Sequence, residues 1–237
     1  MKKLTTAVPA SMLLCLCVAG CGGGEKDAAA AKSQESARTQ LESLQKIVAQ
    51  TTQTYKAMDN ATLIQKLADQ SKRKKEPFNS LAYRELRGRK DVSSDSLVSL
   101  VRKTKNADAL LPLLLLRKLD QKTYSEMPAE LRAGVLTDAL QQSKMFNTWG
   151  LPHAYLEDAS KAMLECGRSA YPALMRMLSE TRPAPVFGGQ EVTEYERYKY
   201  RLCDYALFFL EKIQGNAGFV MPVSVEERDA LIKDMLK

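Results

Sequence analysis

Histidine occurs once in the 237 residues and tryptophan once, and aromatic residues make up 7% of the chain. A single imidazole, His153, rules out any metal centre built on several histidines. Every Ser-His-Asp or Cys-His arrangement would have to include it. No GxGxxG stretch, Walker loop or GxSxG elbow is present. The five cysteines include Cys15, Cys17 and Cys21 at the start, which leaves Cys166 and Cys203 for the body. That is too few for a disulfide-stapled scaffold. Long apolar runs are also scarce. The first, Ala7 to Ala19, would span about 20 Å as a helix, short of the roughly 30 Å hydrocarbon core of a bilayer.

What is there begins with that run. Lys2 and Lys3 precede it, the pattern of an export signal, and Val18-Ala19-Gly20-Cys21 closes it. These residues resemble the lipobox of bacterial lipoproteins. The resemblance covers about the first 21 residues. It implies that residues 1–20 are removed and that Cys21 carries the lipid, with palmitate among the acyl chains. One chain holds a protein weakly, at about 0.8 kcal/mol per buried methylene, whereas two or three hold it firmly. Gly22 in place of Asp points, by the same resemblance, to the periplasmic face of the outer membrane.

Removing Lys2 and Lys3 takes the net charge from +7 to +5. A charge of +5 helps contact with anionic lipid but is too sparse for a dedicated nucleic-acid binder. Hydrophobic content is 45%, enough for a globular core. Residues 21–32, rich in Gly and Ala, read as a flexible tether, and 33–76 as a helical segment. There Leu41, Leu44, Val48, Thr51, Tyr55 and Met58 alternate at spacings of three and four, the stripe of a long amphipathic helix. The stripe suits either a short coiled-coil seam or packing on the following domain. Thr51 in the seam and fewer than three heptads favour packing. Asn60 or Thr62 is placed to cap a second helix, with Leu63, Ile64 and Leu67 on its inner face. The basic run Lys72-Arg73-Lys74-Lys75 is either a solvated loop or a patch drawn to anionic headgroups.

From residue 77 to 237 the pattern is short helices between turns, so the fold class is all-α. Phe78 to Leu86 forms one helix, Ser93 to Asp95 caps the next, and Pro128 opens another that runs to about Ser143. Ala109 to Leu116 is apolar on every side and reads as the central core helix. Later, Ala159, Ala162, Met163, Cys166 and Gly167 are echoed about 47 residues on by Ala206, Phe209, Leu210, Ile213 and Gly215. The echo resembles HEAT-type helical repeats, as do Asn147 to His153 and Tyr198 to Tyr205 of the secreted HEAT-repeat proteins. The resemblance implies an antiparallel helix-pair stack, a short α-solenoid, and no specific activity. In register, Cys166 ends its helix where Cys203 begins the equivalent one. That offset of some 15 Å leaves both thiols unpaired.

Two places are candidates for function. The loop around Trp149, His153 and Tyr155 is either a binding wall, with Glu157 or Asp158 as polar partners, or a plug folded onto the helices. The loop Thr181 to Val192 leads into a helix dense in tyrosine and charge. Tyr195, Arg197, Tyr198, Lys199, Tyr200, Arg201 and Tyr205 suit a surface that grips an acidic or glycan partner, whereas Tyr195, Tyr198, Leu202 and Tyr205, at helical spacing, suit a core face. Glu157 and Asp158 are adjacent on a helix and diverge, unlike a catalytic pair. The sequence therefore favours a membrane-anchored, non-catalytic adaptor with an unidentified envelope protein partner and no cofactor or metal. A cryptic or accessory hydrolase around Trp149 and His153, or a purely structural membrane-docked protein, are the alternatives.

Overall fold

The computed structural model describes residues 24–72 and 80–237. Cys21 and its lipobox, Arg73 to Lys75 and Phe78 lie outside them. Contacts divide the chain between Thr51 and Thr52.

The first unit is the greater part of helix α1, Gly24–Ala57. It begins eight residues before Lys32, inside the segment expected to be a tether. Ala28 to Ala31 account for this, since alanine is the best helix former and outweighs the glycine at the start. From 34 to 50 every side chain is exposed, including Leu41, Leu44, Ile47 and Val48 at 56–63%. The stripe thus divides: this upper part is exposed, whereas Tyr55 and Met58, in the second unit, lie against the core.

The second unit is all-α. It comprises the end of α1, α2 (Asn60–Lys72), α3 (Leu81–Arg87), α4 (Ser94–Thr104), α5 (Leu110–Leu119), α6 (Gln121–Glu126), α7 (Ala129–Gln142), α8 (Asp158–Cys166), α9 (Tyr171–Met177), α10 (Gly189–Tyr198), α11 (Leu202–Ile213) and α12 (Val225–Met235). Helix ends are set by identifiable groups. Arg89 donates to the carbonyls of Met58 (2.7 Å) and Lys56 (3.0 Å), closing the C-terminus of α1 with a cation where the helix dipole favours one. Asp59, rather than Asn60 or Thr62, caps α2 by accepting from the Thr62 N–H at 2.7 Å. Asn60 instead ties across to Asp91 and Arg89. Ser93 caps α4 as expected. Asp120 caps α6, and bonds from Thr123 and Ser94 hold its carboxyl down at about 2.

The core is centred on α5. Every residue from Leu110 to Leu116 is buried, as an all-round apolar helix requires, and its neighbours include α2, α3, α4, α6, α7 and α8. Pro112 sits in the first turn, where no intrahelical N–H bond is lost. In the C-terminal part α11 packs on α8, α9 and α12. The small residues Ala159, Ala162, Ala170 and Ala206 are fully buried there, which lets helices approach closely. Gly167 and Gly215 take positive φ, +55° and +96°, beyond the helix ends that the repeat pattern marks. Cys166 and Cys203 are both unpaired and buried.

Candidate functional site

The segment between α7 and α8 folds as a tight hairpin. Gly150–Leu151 (β1) pairs antiparallel with Tyr155–Leu156 (β2), and Pro152, His153 and Ala154 form the turn. Gly150 has φ +80°, and a Cβ there would meet the Tyr155 carbonyl oxygen at 2.5 Å and the Glu157 nitrogen at 2.9 Å. Only glycine permits this crossing. Below the hairpin Trp149 is fully buried. Its indole N–H donates to Ser143 Oγ at 3.0 Å, and its ring meets Phe209 edge-on at 6.1 Å. Trp149 is therefore the plug of the two readings and has no surface to offer a partner.

The 181–192 segment splits where the sequence pattern showed no break. Gly189 to Val192 already belong to α10, because the exposed polar run from Gln190 continues straight into the helix. Residues 181–188 are pinned on both sides. Ala184 N–H donates to the Tyr200 carbonyl, Leu202 N–H to the Arg182 carbonyl and Phe146 N–H to the Pro185 carbonyl. The Arg182 guanidinium reaches the carbonyls of Gln141 and Ser143, both at 2.7 Å. Ala184 and Val186 are buried.

The tyrosine-rich stretch is not one helix either. Lys199 takes a left-handed conformation, φ 50° and ψ 50°, ending α10, and α11 starts at Leu202. This break turns Tyr198, Tyr200 and Tyr205 inward, at 8%, 0% and 1% exposure. The imidazole of His153 stacks on Tyr198 and, more distantly, on Tyr200. Its Nε2 is 3.0 Å from Glu194 Oε2 and its Nδ1 is 2.9 Å from the Tyr200 hydroxyl. A carboxylate only accepts, so the proton sits on Nε2, and Nδ1 accepts from Tyr200. Burial lowers the His153 pKa from 6.5, outweighing the opposing pull of Glu194. Glu157 and Asp158, the partners expected from sequence, lie elsewhere: Glu157 precedes α8, and Asp158 pairs with Arg87 and Arg117.

The Tyr200-His153-Glu194 row has the order of a nucleophile, base and orienting acid. Its hydroxyl end is sealed, however. Tyr200 is fully buried and burial drives its pKa far upward, so the phenol stays protonated and faces no solvent. The row ties the hairpin to α10 and to the start of α11.

Behind it runs a buried ionic network. Asp204 and Arg228 are both fully buried. Arg228 Nε lies 3.1 Å from Asp204 Oδ1, off the line of its N–H, so the contact is coulombic rather than a hydrogen bond. The same guanidinium donates to the carbonyls of Tyr198, Pro222 and Val223. Arg201 pairs with Asp204 at 2.9 Å and with Asp229 at 2.6 Å. Asp204 also accepts from the Arg201 backbone N–H at 2.8 Å, capping α11. Arg201 is thus spent within the fold, its side chain only 14% exposed.

What remains at the surface is a rim. Tyr155, Phe187 and Val192 are 37%, 53% and 40% exposed, and Tyr195 is half-buried against the core. The Tyr155 hydroxyl reaches Glu191 at 3.4 Å, bringing the hairpin to the first turn of α10. Asn147 holds Phe187 from both sides of its backbone. Sequence reading named Tyr195 but missed Phe187 and Val192, whose signal was only that they are apolar residues in a loop of turn formers. Among the described residues no three His, Cys, Asp or Glu side chains gather as a metal-binding group, and no helix is long and apolar enough to cross a membrane. The chain matches no family model, no curated protein and no solved structure.

Proposed function

We propose that this protein is a lipid-anchored, non-catalytic adaptor of the bacterial cell envelope. In this reading Cys21 carries the acyl chains that moor it, on the periplasmic face of the outer membrane, and the rim formed by Tyr155, Phe187, Val192 and Tyr195 receives an envelope protein. The carrying observation is the contrast within one site. Its chemistry-bearing groups are committed internally, His153, Tyr200 and Arg201 by bonds and Tyr198 by stacking, while large apolar side chains beside them are left in solvent. Such residues on a rigid backing are the usual anchors of protein interfaces. The backing here is the hairpin, α10 and the pinned 181–188 segment. A short helical stack is supported by α7 packing on α8 and α9 and by α11 packing on α8, α9 and α12.

Two measurements test the parts separately. Cys21→Ser is expected to abolish palmitate incorporation and release the product from membranes. Photocrosslinkers placed at Phe187 and Val192 are expected to trap one discrete envelope protein, lost in Phe187→Asp, while a probe at Arg176 on α9 traps none. Indiscriminate labelling from all three positions would overturn the adaptor reading.

A further inference from the structure

The exposed length of α1 carries a second, independent surface. Leu41, Leu44 and Val48 follow the three-four spacing of a coiled-coil seam. Leu41 and Val48 hold the a positions, Leu44 the d position, and Ile47 the flanking g position. All four are 56–63% exposed, on a helix of 34 residues. We propose that this stripe pairs, parallel and in register, with the same stripe of a second copy of the chain.

Charge selects that occupant. In the same register the e and g positions beside the seam are Arg38, Gln40, Gln45, Ile47, Thr52 and Thr54. A parallel pair brings Gln40 against Gln45 and Ile47 against Thr52 of the second copy. No like charges face one another, so identical helices meet without repulsion. The one charged flank, Arg38, is engaged by Glu42 of its own helix at 3.2 Å. Between residues 34 and 56 the other charges, Glu35, Glu42, Lys46 and Lys56, fall at b and f, away from the seam. A partner chosen by charge would instead need charged e and g positions. Val48 at a with Leu44 at d is the combination that favours two strands.

Area sets the strength. Two heptads bury less than the roughly 1,200–2,000 Å² of a stable protein interface, so the pair is weak in dilute solution. Confinement raises its population, because copies held on one bilayer meet at high effective concentration and with their α1 helices pointing the same way. The parallel sense rests on the anchoring proposed above; the self-pairing rests on the stripe.

Disulfide mapping in the full-length protein tests this. Gln34→Cys at an a position and Thr51→Cys at a d position keep every large seam residue; Thr39→Cys and Lys46→Cys lie at f. Cys166 and Cys203 are buried and do not interfere. In membranes, mild oxidation is expected to give covalent dimers at least tenfold faster from 34 and 51 than from 39 and 46. Leu41→Lys with Leu44→Lys is expected to erase the difference without moving the melting temperature, both side chains being exposed. Equal rates at all four positions, or none, in protein that still incorporates palmitate would overturn self-pairing and leave the anchor standing. The periodic pattern in concentrated Cys21→Ser protein would support self-pairing without the anchor.

Discussion

The imidazole of His153 lies flat on the ring of Tyr198, with centroids 3.9 Å apart and planes 17° from parallel. These residues are 45 positions apart in the chain, and their stacking fastens the hairpin to the end of α10. Only the neutral imidazole can also accept the Tyr200 hydroxyl at Nδ1.

Acid should loosen that fastening. Burial lowers the folded-state pKa of His153 below 6.5 while Glu194 opposes the shift. The unfolded imidazole then takes up a proton that the folded one refuses. This contribution to stability is complete above 6.5 and declines as pH falls through the folded-state value. The groups facing the ring are Tyr198, Tyr200, Glu194 and Arg197. Between about pH 7 and pH 5, wild type should lose more melting temperature than His153→Gln. Parallel curves would show that His153 does not contribute.

Gly150→Ala should be among the most damaging single-methyl additions to this chain. The new Cβ would meet backbone atoms at 2.5 and 2.9 Å, and positive φ adds about 1–2 kcal/mol. The hairpin must open, so the fluorescence of Trp149 should move to longer wavelength before global unfolding. An unchanged spectrum and melting curve would contradict the crossing.

Trp149→Ala removes the largest fully buried side chain and should cost about 3–5 kcal/mol, read by denaturant unfolding followed by circular dichroism. Trp149→Phe keeps much of the volume and leaves Ser143 Oγ its bond to the Ala139 carbonyl, so loss of the indole donor should cost about 0.5–1.5 kcal/mol.

Asp204→Ala should cost about 3–5 kcal/mol, since it leaves the Arg228 guanidinium buried without a counter-ion, whereas in Arg228→Ala the Asp204 carboxylate keeps Arg201. Arg228→Ala does leave the carbonyls of Tyr198, Pro222 and Val223 without their donor. Chemical denaturation of Arg228→Ala and Arg201→Ala should rank the first as more damaging.

Iodoacetamide should leave Cys166 and Cys203 unmodified in the native protein and label both in denaturant. Burial raises their thiols to about 11 and about 12, so neither supplies thiolate at neutral pH.

Much of the fold was legible because it rests on local periodicity. The all-round apolar run at Leu110 to Leu116, the Ser93 cap and the Pro128 start all act within one or two turns. The site was less so. Lys199 carries no preference for the left-handed region, so the run from Tyr195 to Tyr205 reads as a continuous helix, and its break comes from tertiary packing. Nothing near His153 in sequence signals Glu194 or Tyr200, and Arg228 sits in a stretch that reads as an ordinary amphipathic helix. Phe187 shows the converse. Whether an apolar loop residue ends in core or in solvent depends on how residues 181–188 are pinned, by bonds that distant segments supply.

Arg228 follows Asp204 by 24 positions in the chain and joins α10, α11 and the approach to α12. During synthesis it emerges after Asp204, and until then the carboxylate has only Arg201 for company. The latch behind the tyrosine cluster therefore closes only once the first turn of α12 has been made, so α10 and α11 are joined from the C-terminal side rather than as they emerge.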